Sequence, residues 1–89
     1  MKAVVSVLGK DKKGIIAKVA TALYEEDVNI LDISQTIIQN KFFTMIMAVE
    51  MPDDKNIDVL SQKMSELARS LDVDVTVRHE DIFNSMHRV

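Results

Sequence analysis

Both glycines of the chain lie in one short segment that also carries lysines and one aspartate. From position 8 to position 17 the sequence reads Leu-Gly-Lys-Asp-Lys-Lys-Gly-Ile-Ile-Ala, with Gly9 and Gly14 as its two glycines. Glycine adopts backbone conformations that other residues avoid, so this concentration indicates unusual backbone here. Free N–H groups at a helix N-terminus, beside lysine charges, suit a carboxylate or a phosphate. The segment predicts an anion-binding loop; the alternative is a loop that only turns the chain.

Other kinds of chemistry can be tested by the residue types that they require. The chain has no Cys and no Trp, which removes disulfides, thiol nucleophiles and thiolate metal sites. His79 and His87 lie near Glu80 and Asp81, but this spacing matches no metal-binding motif. No Ser-His-Asp arrangement is apparent either. We therefore expect no catalytic residue, no metal and no cofactor.

Composition narrows the possible partners of the chain. Its 89 residues, 47% apolar and 28% charged, are typical of one folded domain. Eleven basic and 14 acidic side chains give a net charge of −3, which disfavours binding to nucleic-acid phosphates, and four aromatic residues offer no base-stacking platform. No apolar run is long enough for a membrane span or a signal peptide. The sequence thus predicts a cytoplasmic protein with neither nucleic acid nor membrane as a partner.

The spacing of apolar residues predicts six elements that must position the loop. Two stretches carry apolar side chains at helical spacing and four at strand spacing. The second strand alternates, with Leu31, Ile33 and Ile37 on one side, so we expect it to be half-buried. The predicted helices are residues 14–26 and 56–71, and the predicted strands are residues 2–8, 28–39, 42–51 and 73–78.

The element order βαββαβ predicts an α+β domain of ferredoxin-like topology. Right-handed crossovers place both helices on one face of a four-stranded antiparallel sheet, with the first and third strands central. We expect this domain to cover residues 1–79. Residues 80–89 form a C-terminal extension in which Ile82, Phe83 and Met86 have the spacing of a short helix. The extension is predicted to pack on the bare face of the sheet, its own or that of a partner.

The same topology occurs in enzymes, so function has to be inferred from particular residues. Acylphosphatases hold a phosphate with an arginine in a glycine-rich first loop and position water with an asparagine inside the second strand. Here the loop offers lysines, which lack the planar fork of arginine, and Asn29 stands at the very start of that strand. An acylphosphatase-like enzyme is therefore the least favoured interpretation.

Two short motifs connect the chain with a family of regulatory modules. Residues 11–16, Asp-Lys-Lys-Gly-Ile-Ile, are similar to the opening of the first helix in ACT domains. Residues 28–30, Val-Asn-Ile, resemble the family's turn into the second strand. Over residues 2–79 the chain resembles an ACT domain, above all small stand-alone bacterial and archaeal members and the modules of the glycine cleavage system repressor. Lys13 departs from the pattern, since many members have Pro there.

The resemblance implies a function and a site. In ACT domains the effector usually lies between two modules, where the first loop of one faces the start of the second strand of the other. Transferred to this chain, the site residues are Gly9, Asp11, Gly14 and Asn29, with Ile15 as an apolar wall. The implied protein is a non-catalytic regulatory homodimer that binds a small molecule such as an amino acid. The alternative is an adaptor that docks on an unknown target protein and binds no small molecule.

Overall fold

Within the described residues, four strands and two helices follow one another in the predicted order. The computed structural model describes residues 1–10, 14–39 and 41–79. The elements in chain order are β1 (Lys2–Lys10), α1 (Ile15–Glu25), β2 (Asn29–Ile38), β3 (Phe42–Glu50), α2 (Ile57–Leu71) and β4 (Asp74–His79). The prediction of βαββαβ is confirmed. The main difference lies at β1, which continues past residue 8 and so includes Gly9.

The strands form one antiparallel sheet in the order β2-β3-β1-β4. As predicted, β1 and β3 are central, and β2 and β4 are the edges. The register places Gly9 opposite Phe43 and Asn29 opposite Glu50. An irregularity between Ile30 and Asp32 interrupts the pairing of β2 with β3. Such bulges increase the local twist, and they are frequent at sheet edges.

Both helices pack on the same face of the sheet, and the core lies between the two layers. Each helix contributes one stripe at a spacing of four residues, because that spacing aligns side chains on one helix face. The sheet contributes every second residue of its two central strands. The core residues of the helices are Ile15, Val19 and Leu23 of α1 and Leu60, Met64 and Ala68 of α2; those of the central strands are Ala3, Val5, Val7, Phe43, Met45, Met47 and Val49.

A side-chain hydrogen bond marks the start of α2, and a residue with left-handed backbone marks its end. The side chain of Asn56 accepts a hydrogen bond at 2.8 Å from the backbone N–H of Asp58, which is a standard N-cap. At the other end Asp72 has φ of 57°, a left-handed conformation that stops the helix. The chain then turns directly into β4. The sharp turn brings Val73 close to the end of β1.

The expectation that β2 is half-buried is wrong. Leu31, Ile33 and Ile37 are 49%, 38% and 55% exposed, and every residue of β2 except Ile30 is exposed. The alternation itself is correct, because Ile33 and Ile37 pair with the buried Met47 and Phe43 and so lie on the helix side. The helices cover β3 on that side and leave the outer edge strand largely uncovered.

The approach of Val73 explains why position 9 is a glycine. A Cβ atom on Gly9 would overlap the Cγ1 methyl of Val73 and lie 3.0 Å from its Cβ. We expect Gly9→Ala to lower the free energy of unfolding by about 1–3 kcal/mol, the usual cost of overpacking. Val73→Ala removes the obstructing methyls, so in that background the cost of Gly9→Ala should shrink. Urea denaturation of the four variants of this cycle measures it; equal costs in both backgrounds would contradict the contact.

An ion pair joins the end of α1 to α2. The Lys63 ammonium donates a hydrogen bond at 2.7 Å to Glu26 Oε2. This hydrogen bond lowers the pKa of the Glu26 carboxyl below its ordinary value of 4.5; burial opposes the shift, and the charges of Lys63 and Lys55 add to it. The same bond raises the pKa of Lys63. Because a depressed carboxyl pKa stabilises the fold above the unfolded value, the stabilisation is lost as the pH falls from 4.5 through the folded pKa.

We expect Glu26→Gln to lower the melting temperature slightly at pH 7 and to match the parent protein once the pH is well below 4.5. The effect is small because the Lys63 end of the pair is exposed to solvent, where salt screens the charges. Glu25→Gln is the matched control, since it removes one neighbouring charge without breaking the bond to Lys63. A difference between Glu26→Gln and the parent that persists unchanged at low pH would contradict the assignment.

Candidate functional site

The predicted loop ends in a backbone conformation that favours glycine. Gly14 is the N-cap of α1 and has φ of 87° and ψ of −1°, in the left-handed region. Its carbonyl accepts the first hydrogen bond of the helix, from the N–H of Lys18 at 2.9 Å. A Cβ atom at Gly14 would meet nothing within 4 Å, so the position opens to the surface. The prediction of unusual backbone is confirmed at this glycine.

The other residues predicted in this segment have different surroundings. Gly9 lies inside β1, where its close approach to Val73 accounts for the glycine without a ligand. Asp11 lies outside the described residues, as do Lys12 and Lys13. The described part of the segment is therefore the end of β1 and the first turn of α1.

Ile15 does not form an apolar wall for a ligand. It is 2% exposed and belongs to the core beneath α1. The next residue, Ile16, is 37% exposed and is the apolar side chain that reaches the surface beside Gly14. Sequence reasoning placed both isoleucines on one broad apolar face. The buried residues Val19 and Leu23 continue a spacing of four residues that includes Ile15 but not Ile16. That spacing distinguishes the buried isoleucine from the exposed one.

Asn29 lies at the opposite end of the sheet from the loop. Gly9 pairs with Phe43 and Asn29 pairs with Glu50, at the two ends of β3. Seven residue steps along β3, from position 43 to position 50, correspond to roughly 23 Å at the rise of a strand. The residues predicted to form one site therefore do not converge within one copy of the chain.

An open cleft of about 280 Å³ lies beside Gly9, on the side of β4. Its lining combines the charged residues Lys10, Asp72 and Asp74 with apolar side chains. Sequence reasoning missed this cleft because the turn between α2 and β4 is distant from Gly9 along the chain and comes near it only through the pairing of β1 with β4. The lining residues are Leu8, Gly9, Lys10, Phe42, Asp72, Val73 and Asp74.

Within residues 1–10, 14–39 and 41–79, no three His, Asp or Glu side chains are grouped so that they could hold a metal ion. The acidic residues Glu80 and Asp81 next to His79, and His87 as well, lie outside these ranges. Across the same ranges no helix has both the length and the apolar character needed to span a membrane.

The fold and its sheet order define the class of the protein. A four-stranded antiparallel sheet with two helices on one face, built as βαββαβ, is the ferredoxin-like α+β fold. The ACT domain family matches residues 2–78, and the chain belongs to this family. Members of the family are typically regulatory modules that bind small molecules, and in general they are not catalysts.

Similar proteins cover the whole chain. A UPF0237 protein of Clostridium perfringens is 49% identical over all of both chains, and one of Methanocaldococcus jannaschii is 45% identical over 99% of this chain and 98% of its own. An ACT domain protein from Streptococcus pneumoniae has 35% identity and a TM-score of 0.84 over 93% of each chain. A putative glycine cleavage system transcriptional repressor shares the fold, with a TM-score of 0.79 and 19% identity over 86% of this chain and 45% of that one.

We expect Gly14→Ala to destabilise the protein although the space around position 14 is open. An L-residue in the left-handed region costs roughly 1–2 kcal/mol, so the free energy of unfolding should fall by about that amount. Gly14→Asn is the matched control and should cost less, because asparagine tolerates this conformation. Urea denaturation of both variants tests the expectation. Equal stability of Gly14→Ala and the parent would mean that the first turn of α1 does not need this backbone.

Proposed function

We propose that the chain acts in the cytoplasm as a non-catalytic regulatory module that binds a small molecule, an amino acid, between two copies of itself. Its membership of the ACT domain family supports this function. The observation that carries the proposal is the separation of Gly14 from Asn29 along the sheet. The two motifs resemble the two halves of an effector site, and within one copy they lie at opposite ends of the sheet. A complete site therefore requires a second copy.

The direction of the strands supports side-by-side pairing of the copies. Both β1 and β2 run antiparallel to β3, so both end at the same end of the sheet, and α1 begins there at Gly14. If two β2 strands pair antiparallel, the first residue of one lies beside the last residue of the other. Asn29 of one copy then comes to the end of the sheet at which Gly14 of the other stands. The pair would form one eight-stranded sheet with all four helices on one face.

The exposed apolar residues support the same edge as the interface. Large exposed apolar patches are uncommon on monomers and mark interaction sites. Within the described residues, ten large apolar side chains are exposed, and six of these lie on β2 and α1, which pack beside each other. They are Ile16 and Tyr24 of α1 and Leu31, Ile33, Ile37 and Ile38 of β2. Ile38 differs from the others in lying on the sheet face opposite to the helices.

One hydrogen bond shows which backbone groups face the open edge. The N–H of Ile33 donates at 2.9 Å to the carboxylate of Asp32, not to β3. The backbone N–H of Ile33 therefore points away from β3, towards the open edge of the sheet. In the proposed pair this N–H would donate to the second β2 strand, and the Asp32 carboxylate would return to solvent.

The chemistry at the two ends fits a free amino acid. The first N–H groups of α1 and the helix dipole favour a carboxylate, and the glycine at the N-cap leaves room for it to approach. The side-chain amide of Asn29 both donates and accepts, so it can bind a carboxylate or an ammonium group. The exposed Ile16 provides an apolar surface beside Gly14. A zwitterion with a small side chain would use all three features.

The experiment is a thermal-shift screen of the twenty amino acids, combined with light scattering. A ligand present at about 100 times its dissociation constant stabilises the folded protein by about 2.7 kcal/mol. We expect one amino acid, or a small related set, to raise the melting temperature of the parent, and we expect the parent to have the mass of a dimer at micromolar concentration. No shift with any amino acid would favour the adaptor without a small ligand.

A matched pair of variants connects ligand binding with assembly. Ile33→Lys places a charge at the centre of β2, where two antiparallel strands would bring the two lysines together. It should yield a monomer and abolish the ligand-induced shift. The control is Val59→Lys, which introduces the same side chain at a position on α2 that is 49% exposed and should keep both properties. A full ligand-induced shift in monomeric Ile33→Lys would refute a site between copies.

A further inference from the structure

The sheet face opposite to the helices carries an apolar patch that the described residues leave open. We call this side of the sheet the bare face. The register places Leu8, Phe42 and Ile46 on it from the central strands and Ile38 from β2. These four side chains are 46%, 42%, 42% and 46% exposed, in the order given. Phe42 pairs with Ile38, Leu8 pairs with Thr44, and Ile46 follows Thr44 on the same side of β3. The four apolar side chains therefore form one continuous patch around Thr44.

Two details of the bare face point to a covering segment. An open cleft of about 500 Å³ runs over it and is lined by side chains from all four strands, among them Leu8, Ile38, Ile46 and Thr76. Near its centre the Thr44 hydroxyl oxygen is buried and has no hydrogen-bond partner within the described residues. Buried hydroxyls are normally hydrogen-bonded, so Thr44 is a locally unsatisfied position in the middle of this face.

We infer that residues 80–89 of the same chain cover the bare face. They directly follow β4, which ends at His79, and they lie outside the described residues. Their apolar residues Ile82, Phe83 and Met86 have the spacing of one helix side, with polar residues between them. A segment this short is marginal by itself and needs an apolar surface to pack on. The bare face is such a surface, in reach of the end of β4.

The distance from the end of β4 to the patch can be read from the register. His79 pairs with Ala3, and Ile46 pairs with Ser6, three rows further along β1. Three residue rows and two strand spacings give a separation of about 14 Å between His79 and Ile46. Extended chain through residues 80 and 81 can bring Ile82 about 10 Å from His79. A helix that begins there adds about 1.5 Å per residue, so the long side chain of Phe83 can reach Ile46. The following residues can then continue towards Leu8 and Thr44.

Charges around the patch favour this occupant over a second sheet. Exposed charged residues surround the apolar centre: Lys10 and Asp74 at one end of the face, and Asp32 and Arg78 at the other. Two bare faces stacked on each other would bury these charges, and burying unpaired charge is costly. A short amphipathic segment is about 10–12 Å wide, so it covers the centre and leaves the rim in water. Covering this face leaves the edge at β2 as the surface for association.

Because the chain has no cysteine, engineered pairs test the contact directly. We combine Phe83→Cys with Ile46→Cys or with Leu8→Cys in the full chain and oxidise at low protein concentration. The control combines Phe83→Cys with Val59→Cys, on the exposed side of α2. We expect one of the first two pairs to form an intrachain disulfide, seen as a monomer of altered mobility, much faster than the control pair. Mass spectrometry identifies the linked residues.

Two results would overturn the inference. Predominant interchain disulfides would assign the cover to a second copy, and oxidation no faster than in the control would mean that residues 80–89 do not rest on this face. A second measurement does not depend on disulfide geometry. Truncation after His79 should lower the melting temperature by several degrees and increase binding of a hydrophobic dye, and Ile46→Ser should abolish most of that added dye binding. Unchanged melting temperature and dye binding after truncation would contradict the inference.

Discussion

The pairing of β1 with β3 is the constraint on which the rest of the structure depends. It places Val5 opposite Met47 and Val7 opposite Met45, and all four side chains are buried beneath the helices. A shift of this register by one residue would turn the buried set to the other side of the sheet. Since β2 pairs only with β3 and β4 only with β1, both edges take their positions from this central pair. Unbranched methionines in β3 and α2 can adjust to fill the space between the layers.

Periodicity predicted the element order and the central strands, because those properties depend on which side chains are apolar. It could not predict whether anything covers a given face. Ile33 and Ile37 alternate as half-buried residues do, yet they are exposed because β2 extends beyond the helix layer. The clustering of Gly9 with Gly14 predicts a loop at position 9. Its contact with Val73, far away in the chain, accounts for a glycine inside β1.

For the candidate site, the sequence identified residue types better than their arrangement. Gly14 has the left-handed backbone that a clustered glycine indicates, whereas Ile15 points into the core and Ile16 takes its place at the surface. Local motifs carry no information on the roughly 23 Å between the end of β1 and the start of β2, since that separation follows from both strands pairing with β3. In the proposed site, this separation means that the second motif has to come from another copy of the chain.

A site shared between two copies would connect ligand concentration with assembly through mass action. A ligand that binds the dimer and not the monomer stabilises the dimer, and by reciprocity dimer formation raises the affinity for the ligand. A module that regulates by binding alone acts through such a coupling, because its output is a change in exposed surface. The paired edge would bury Ile33 and Ile37, which are exposed in the single chain. If the extension after β4 covers the bare face, the change in exposed surface on pairing would be confined to the β2 edge, where the ligand binds.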